Sequence, residues 1–162
     1  MERAERVSKR NYYLDIAETV LERATCLRRV YGAIIVKNDE IISTGYNGAP
    51  RGRSNCVDLG YCTREAMQVP HGERYELCRS VHAEANAIIS AARRDMVGST
   101  LYLVGRDAQT GRLLSDATSC AMCRRMIINA GINEVVIRRT EEDYDIVPVW
   151  KWVEEDDSLP EE

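Results

Sequence analysis

A chain of 162 residues, 44% hydrophobic and 30% charged, has the balance of one globular domain long enough to bury a real core. Its formal net charge of −4 at pH 7 argues against a protein that coats nucleic acid, because phosphate neutralisation needs basic surface. No apolar run approaches the roughly 20 residues that cross a membrane, and the charged start Met1-Glu2-Arg3-Ala4-Glu5-Arg6 lacks the apolar stretch of a secretion signal. No nucleic-acid or membrane partner is therefore expected, and the expected compartment is the cytoplasm.

From residue 8 to about residue 29, Tyr13, Ile16, Ala17, Val20, Leu21 and Ala24 recur at three- and four-residue steps. That spacing predicts an amphipathic helix, with Ser8 or Asn11 as its cap. Residues 32–37 read as a strand and 41–46 as its partner, joined by a turn at Asn38-Asp39-Glu40. The near-continuous β-branched run of the first strand predicts burial on both faces.

After Asn47 the periodicity is lost until about Glu76, and a structureless loop of that length is uncommon unless it is functional or tied down. It holds Cys56, Cys62 and His71, with Cys26 before it and Cys78 after it. In a reducing compartment, six cysteines point to metal rather than disulfides. The simplest tether is a second, closed, four-coordinate zinc drawn from Cys26, Cys56, Cys62 and Cys78, with His71 as the alternative ligand. The alternative is a Cys26 that merely belongs to the core, with the others as free thiols.

A helix is expected from His82 to about residue 94, a third strand at 100–104 and a polar turn at 107–112. A further helix follows Cys120 and ends near Gly131, and a fourth strand spans 134–138. Residues 141–144 read as the start of a helix. Trp150, Trp152 and Val153 offer apolar contacts to the parent domain or to a neighbouring subunit, and the run Glu154-Glu155-Asp156-Asp157-Ser158 reads as a solvated tail. This order of helices and strands predicts a layered α/β architecture with a mixed sheet between helices.

Two stretches carry chemistry. His82-Ala83-Glu84 offers a nitrogen ligand and, two residues on, a carboxylate; Cys120-Ala121-Met122-Cys123 offers two thiolates at the C-x-x-C spacing. One His and two Cys make three protein ligands for Zn²⁺ and leave a fourth position for water, whose pKa the ion lowers to about 7. Glu84 stands where it can shuttle protons. A C-x-x-C alone is often a structural zinc corner or a redox pair; both pieces in this order favour a catalytic zinc.

The stretches Cys78-Arg79-Ser80-Val81-His82-Ala83-Glu84, Gly45-Tyr46-Asn47-Gly48-Ala49-Pro50 and Ile127-Ile128-Asn129-Ala130-Gly131-Ile132 after Cys123 resemble the deoxycytidylate (dCMP) deaminase family, within the zinc-dependent cytidine/deoxycytidylate deaminase superfamily. The H-x-E…P-C-x-x-C signature of zinc nucleobase deaminases is matched except that Ser119 stands where Pro is usual. The resemblance implies a three-layer cytidine-deaminase-like fold, with a mixed central sheet and helices on both faces, as a single domain over 1–153 followed by an acidic tail at 154–162. It implies zinc-dependent hydrolysis of dCMP to dUMP, with Glu84 as general base and then acid. It also implies contacts from the Ala83 backbone N–H to the base carbonyl, from the Ser119 carbonyl to the amino group and from Asn47 to the sugar. A second structural zinc, a dCTP activator bound partly by 45–48 and a homo-oligomer go with it. The alternatives are a deaminase of another cytosine nucleoside or nucleotide, or a catalytically idle binding module on the same fold. For a 5′-phosphate, Arg51, Arg53, Arg124 and Arg125 are the candidate arginines near the motifs.

Overall fold

The computed structural model describes residues 5–156 and 159. The charged start at 1–4 and, from residue 157 on, all of the acidic tail but Leu159 lie outside the described residues.

Helix α1 (Lys9–Leu21) is capped by Ser8, whose Oγ accepts from the Asn11 N–H. It is followed by strands β1 (Arg29–Lys37) and β2 (Glu40–Tyr46). Asn38 and Asp39 both lie at positive φ, 51° and 61°, and Lys37 pairs with Glu40. The hairpin loop is therefore the two-residue form whose twist suits the flanking strands. Then come single-turn helices α2 (Cys56–Leu59) and α3 (Thr63–Ala66), α4 (Ala83–Ile89), α5 (Arg93–Met96), β3 (Thr100–Asp107), α6 (Ala121–Ala130), β4 (Glu134–Arg138), β5 (Tyr144–Pro148) and α7 (Trp150–Glu154). The sheet order is β2-β1-β3-β4-β5, antiparallel except for the parallel β3–β4 pair. Helix α1 covers one face and α4 and α6 the other, giving the expected three-layer α/β fold with a mixed sheet.

Alternate residues of the central strands feed two cores. Ala33, Ile35, Leu101, Leu103, Val135 and Ile137 meet α4 and α6, whereas Ile34, Val36, Tyr102, Val104 and Val136 meet α1. This is the period-2 burial of a sheet covered on both faces. On the α1 side the guanidinium of Arg138, 1% exposed, donates to Asn11 Oδ1 at 3.1 Å and pairs with Asp15 at 2.9 Å, tying helix to sheet.

The layers approach closely at two glycines. A Cβ on Gly32 would stand 2.0 Å from the Ala17 carbonyl oxygen of α1, and one on Gly45 would stand 2.3 Å from the Ala83 carbonyl and 2.4 Å from the Ala87 nitrogen of α4. Backbone cannot yield as a flexible side chain does, so Gly45→Ala is expected to destabilise by at least the roughly 1–3 kcal/mol of ordinary overpacking. A urea-denaturation midpoint indistinguishable from the parent's would contradict this contact.

Four expectations are corrected. The first helix stops at Leu21 rather than near residue 29. Beyond Leu21, the Thr25 N–H donates to the Asn47 carbonyl and its Oγ1 donates to Asn55, so the chain is drawn into the loop layer before β1 begins. The His82 helix ends at Ile89; the chain bends and restarts as α5, which places Met96 in the core. Residues 141–144 do not begin a helix: Thr140 Oγ1 accepts from the Glu142 and Asp143 N–H groups, turning the chain back along β4 as the edge strand β5. The acidic run expected as tail from residue 154 starts inside α7.

The segment 47–76 is also more ordered than its sequence suggests. It carries α2, α3 and the start of a 3₁₀ turn, Tyr75–Leu77. Side chains pin it: Asn55 and Asp58 form a capping box, Arg64 donates twice to the Glu73 carbonyl, and Thr63 donates to the Leu77 carbonyl. A bridge between Gly48 and Val81 closes its base. Turns this short leave no periodicity to read. None of the helices among the described residues is long and apolar enough to cross a membrane.

Candidate metal centre and cavity

Two helix starts face each other. His82 is the N-cap of α4, and Cys120 is the N-cap of α6 with Cys123 in its first turn. The exposed amides of a helix start favour thiolate there. His82 Nδ1 lies 3.4 Å from Cys120 Sγ and 3.5 Å from Cys123 Sγ, and the three donor atoms lie within 4.8 Å of one another. Ligands at the usual Zn–N and Zn–S lengths in tetrahedral array stand about 3.6 Å apart, so this donor set fits zinc. Among the described residues no other His, Cys, Asp or Glu group of three converges this tightly. The Tyr75 ring meets the His82 ring edge-on at 5.3 Å.

Charge follows the geometry. The Cys120 thiol is held down to about 4, chiefly by the hydrogen bond from Cys123 and then by His82. Cys123 is correspondingly pushed up, as the partner that keeps its proton. His82 is raised, first by Cys120. Glu84, 4% exposed in the first turn of α4, has its carboxyl pushed up by burial. The Ser119 hydroxyl lies near enough to oppose that rise but outside hydrogen-bond geometry, which leaves its Oγ buried and unpaired.

One cavity joins most of the residues singled out from the sequence. His82, Glu84 and Cys120 line it together with Asn47, and so do Cys26, Cys62, Cys78 and His71. The Asn47 side chain is buried; its Oδ1 accepts from the Tyr31 N–H at 2.8 Å and its Nδ2 donates to the Arg29 carbonyl at 2.9 Å. Ala83, fully buried, opens α4 beside Glu84, and Ser119 is buried ahead of Cys120.

All six cysteines are free thiols. Cys56 is buried, and its thiol is raised by that burial and then by Cys26, Cys78 and Cys62, so the four share one neighbourhood. His71 is exposed, with its Nδ1 3.2 Å from Arg28 Nη2.

The arginines first considered for phosphate lie elsewhere. Arg51, Arg53 and Arg125 are exposed and do not line the cavity. Arg124 donates from Nε to the Ser119 carbonyl at 2.9 Å, with its guanidinium 5.1 Å from the centre of the Trp152 ring. The cavity's arginines are Arg28, Arg29 and Arg64, which the sequence reading passed over. The doublet Arg28-Arg29, two residues after Cys26, was the signal available for two of them.

The family model of the cytidine and deoxycytidylate deaminase zinc-binding region matches residues 7–139. The deoxycytidylate deaminase of Mycobacterium phage D29 is 35% identical over 130 residues, covering 77% of this chain and 90% of that protein. The deoxycytidylate deaminase of Schizosaccharomyces pombe is 34% identical over 126 residues, covering 78% of this chain but only 35% of that longer protein. Among solved structures, the dCMP deaminase of cyanophage S-TIM5 is 28% identical, with TM-scores of 0.55 in its apo form and 0.53 in complex with dCMP and dUMP. Those matches cover 80% of this chain and 81% of the apo enzyme, and 78% of each in the complex. With the matched region taking in β1 to β4, both helix starts and the cavity, the chain belongs to the cytidine and deoxycytidylate deaminase family.

Proposed function

We propose that the chain is a zinc-dependent hydrolase that deaminates dCMP to dUMP with release of ammonia, built as one catalytic domain over residues 1–153. The observation that carries this reading is the convergence of His82 Nδ1 and the Cys120 and Cys123 sulfurs in a cavity that also holds the buried Glu84. The S-TIM5 enzyme, solved with dCMP and dUMP, supports the choice of substrate.

In this reading His82, Cys120 and Cys123 hold a zinc ion that supplies a water of lowered pKa as nucleophile. Glu84 takes a proton from the attacking water and delivers it to N3 of the cytosine ring; it then takes the proton of the hydroxyl added at C4 and passes it to the amine as the C4–N bond breaks, leaving the C4 carbonyl and ammonia. Its upward-shifted carboxyl suits both halves of that cycle. The Ala83 N–H meets the base carbonyl. The Ser119 carbonyl, steadied by Arg124, keeps a lone pair for the amino group. The Asn47 amide, which has one N–H and one lone pair left after binding β1, meets the sugar. Ammonia release from dCMP, CMP, deoxycytidine and cytidine tests the reading directly. dCMP is expected to be the best of the four, and no release from dCMP would overturn it.

A second, structural zinc on Cys26, Cys56, Cys62 and Cys78 is part of the proposal. Its support is the shared neighbourhood of the four thiols and the long, apolar-poor segment they flank. Structural zinc contributes apparent free energies of about 10–16 kcal/mol in small peptides, enough to order such a segment. The contact of His71 with Arg28 favours the cysteines over His71. Cys56→Ser is expected to increase proteolysis between residues 48 and 76 and to lower the metal content from two zinc ions per chain to one. One zinc per chain in the parent protein, with four freely titratable thiols, would eliminate the second site.

Three finer readings accompany it. The protein works in the cytoplasm, consistent with its free thiols. It forms a homo-oligomer, for which the exposed Ile146, Trp150 and Val153 along β5 and α7 offer apolar surface. It responds to dCTP, a reading that rests on the family resemblance of residues 45–48. Sedimentation with and without dCTP, alongside activity, tests the last two.

A further inference from the structure

We propose that Arg124 and Trp152 are positioning residues for the reaction: helix α7 holds the Arg124 guanidinium against the Ser119 carbonyl and so aims that carbonyl at the amino group that leaves. What the carbonyl meets rests on the deaminase reading above; the brace itself is a matter of geometry.

The stretch to be held has little to hold it. Thr118 and Ser119 lead into α6 without regular secondary structure, yet Thr118 lines the cavity and Ser119 is buried at its edge beside Cys120. Ser119 stands where Pro is usual. A proline ring would fix φ there, whereas serine leaves it free to turn. The Ser119 hydroxyl does not anchor the residue either, since its buried Oγ has no hydrogen-bond partner among the described residues.

Arg124 supplies the constraint from outside. Its Nε donates to the Ser119 carbonyl at 2.9 Å and its Nη2 to Thr118 Oγ1 at 3.4 Å, so one edge of the guanidinium spans both residues. A carbonyl oxygen has two lone pairs, and filling one from a fixed donor sets the direction in which the other faces. The guanidinium is fixed in turn through its flat face, which lies over the Trp152 ring, 5.1 Å from its centre. Stacking on an aromatic face leaves the in-plane N–H groups of arginine available, which a lysine ammonium cannot reproduce.

Trp152 is itself anchored. It packs against the core beneath α4 and α6, and its N–H donates to the Val149 carbonyl at 2.9 Å. Val149, the buried N-cap of α7, donates from its own N–H to the Asn133 carbonyl at 2.9 Å, and Pro148 pairs with Glu134 at the start of β4. Helix α7 is thereby tied to the turn that follows α6. The family model ends at residue 139, so the aromatic half of this brace comes from beyond the region it describes.

The test reads the carbonyl directly. Ser119-Cys120 is the one Ser-Cys step in the sequence, so zinc-loaded protein labelled with ¹³C-carbonyl serine and ¹⁵N-cysteine gives a single correlation for that peptide group. Trp152→Leu is expected to move this signal in the same direction as Arg124→Met, by less. On dCMP, kcat should fall about two- to fivefold for Trp152→Leu, the worth of a cation–π contact, and about 10- to 100-fold for Arg124→Met, the worth of a charged hydrogen bond. KM should change less, because the contact is to the group that departs. Trp152→Phe keeps an aromatic face and should recover most of the signal and the rate. An unmoved signal in Trp152→Leu, or a Phe variant no better than Leu, would overturn the proposal.

Should Trp152→Leu fail to fold, Arg124→Lys carries the test with the ring left in place. The carbonyl signal should move and kcat fall while the melting temperature holds; an unchanged signal and rate would overturn the proposal equally. Absence of ammonia release by the parent protein would count against the deaminase reading, while the carbonyl signal would still report whether α7 holds Ser119.

Discussion

Glu84→Gln is expected to keep the fold and the full zinc content while turnover on dCMP drops by about 10²- to 10⁴-fold, the usual worth of a positioned general acid–base. Gln matches Glu in size and can keep its place in the first turn of α4, but it cannot carry a proton between water and the leaving nitrogen. The environment also separates this role from a structural one. Burial disfavours the Glu84 carboxylate, so removing its charge should leave the thermal midpoint unchanged or raise it. Metal analysis, a melting curve and an ammonia assay on one preparation decide the matter. Near-native turnover would sink the proton-shuttle role; lost zinc would show that Glu84 belongs to the ligand set.

How much of this was legible depended on whether a signal was local. The gathering of His82, Cys120 and Cys123 could be read because C-x-x-C spans one helical start and His-x-Glu opens another, so each half is written within four residues. The hairpin at Asn38-Asp39 was legible for the same reason, and so was the doubly buried β1, whose β-branched run leaves no polar face. What could not be read was set by distant partners. Tyr144–Pro148 becomes a strand because β4 has an open edge beside it, and nothing within those five residues announces that edge. Residues 22–28 continue the helical spacing of α1 through Ala24, yet the pull of Asn47 and Asn55 on Thr25 wins. The arginines of the cavity were missed through the same bias. Proximity in sequence to the motifs pointed to Arg51, Arg53, Arg124 and Arg125, whereas β1 begins at the cavity wall and brings Arg28 and Arg29 there. Arg124, next to Cys123 in sequence, turns its Nε to the Ser119 carbonyl and its Nη2 to Thr118 Oγ1 and does not line the cavity.

Removing any one of His82, Cys120 or Cys123 should abolish turnover by the opposite route, through loss of the metal itself. A catalytic zinc held by three protein ligands has no spare donor, so His82→Ala, Cys120→Ala and Cys123→Ala each leave only two. The structural cost should differ among them. Cys123 is 1% exposed within the core between α4, α6 and the sheet, so Cys123→Ala trades a buried sulfur for a small void. Cys120 and His82 are only partly buried caps, and their replacement should disturb packing less. The expected result is therefore a common loss of one zinc per chain and of all measurable ammonia release, with the largest fall in melting temperature for Cys123→Ala. Paired with Glu84→Gln, this separates metal from proton transfer, since one substitution keeps the ion and loses the chemistry while the others lose both. The site around the four remaining cysteines gives an internal control, because its metal, where present, should survive in all three variants. A variant that keeps its full zinc complement at undiminished affinity would remove that residue from the ligand set.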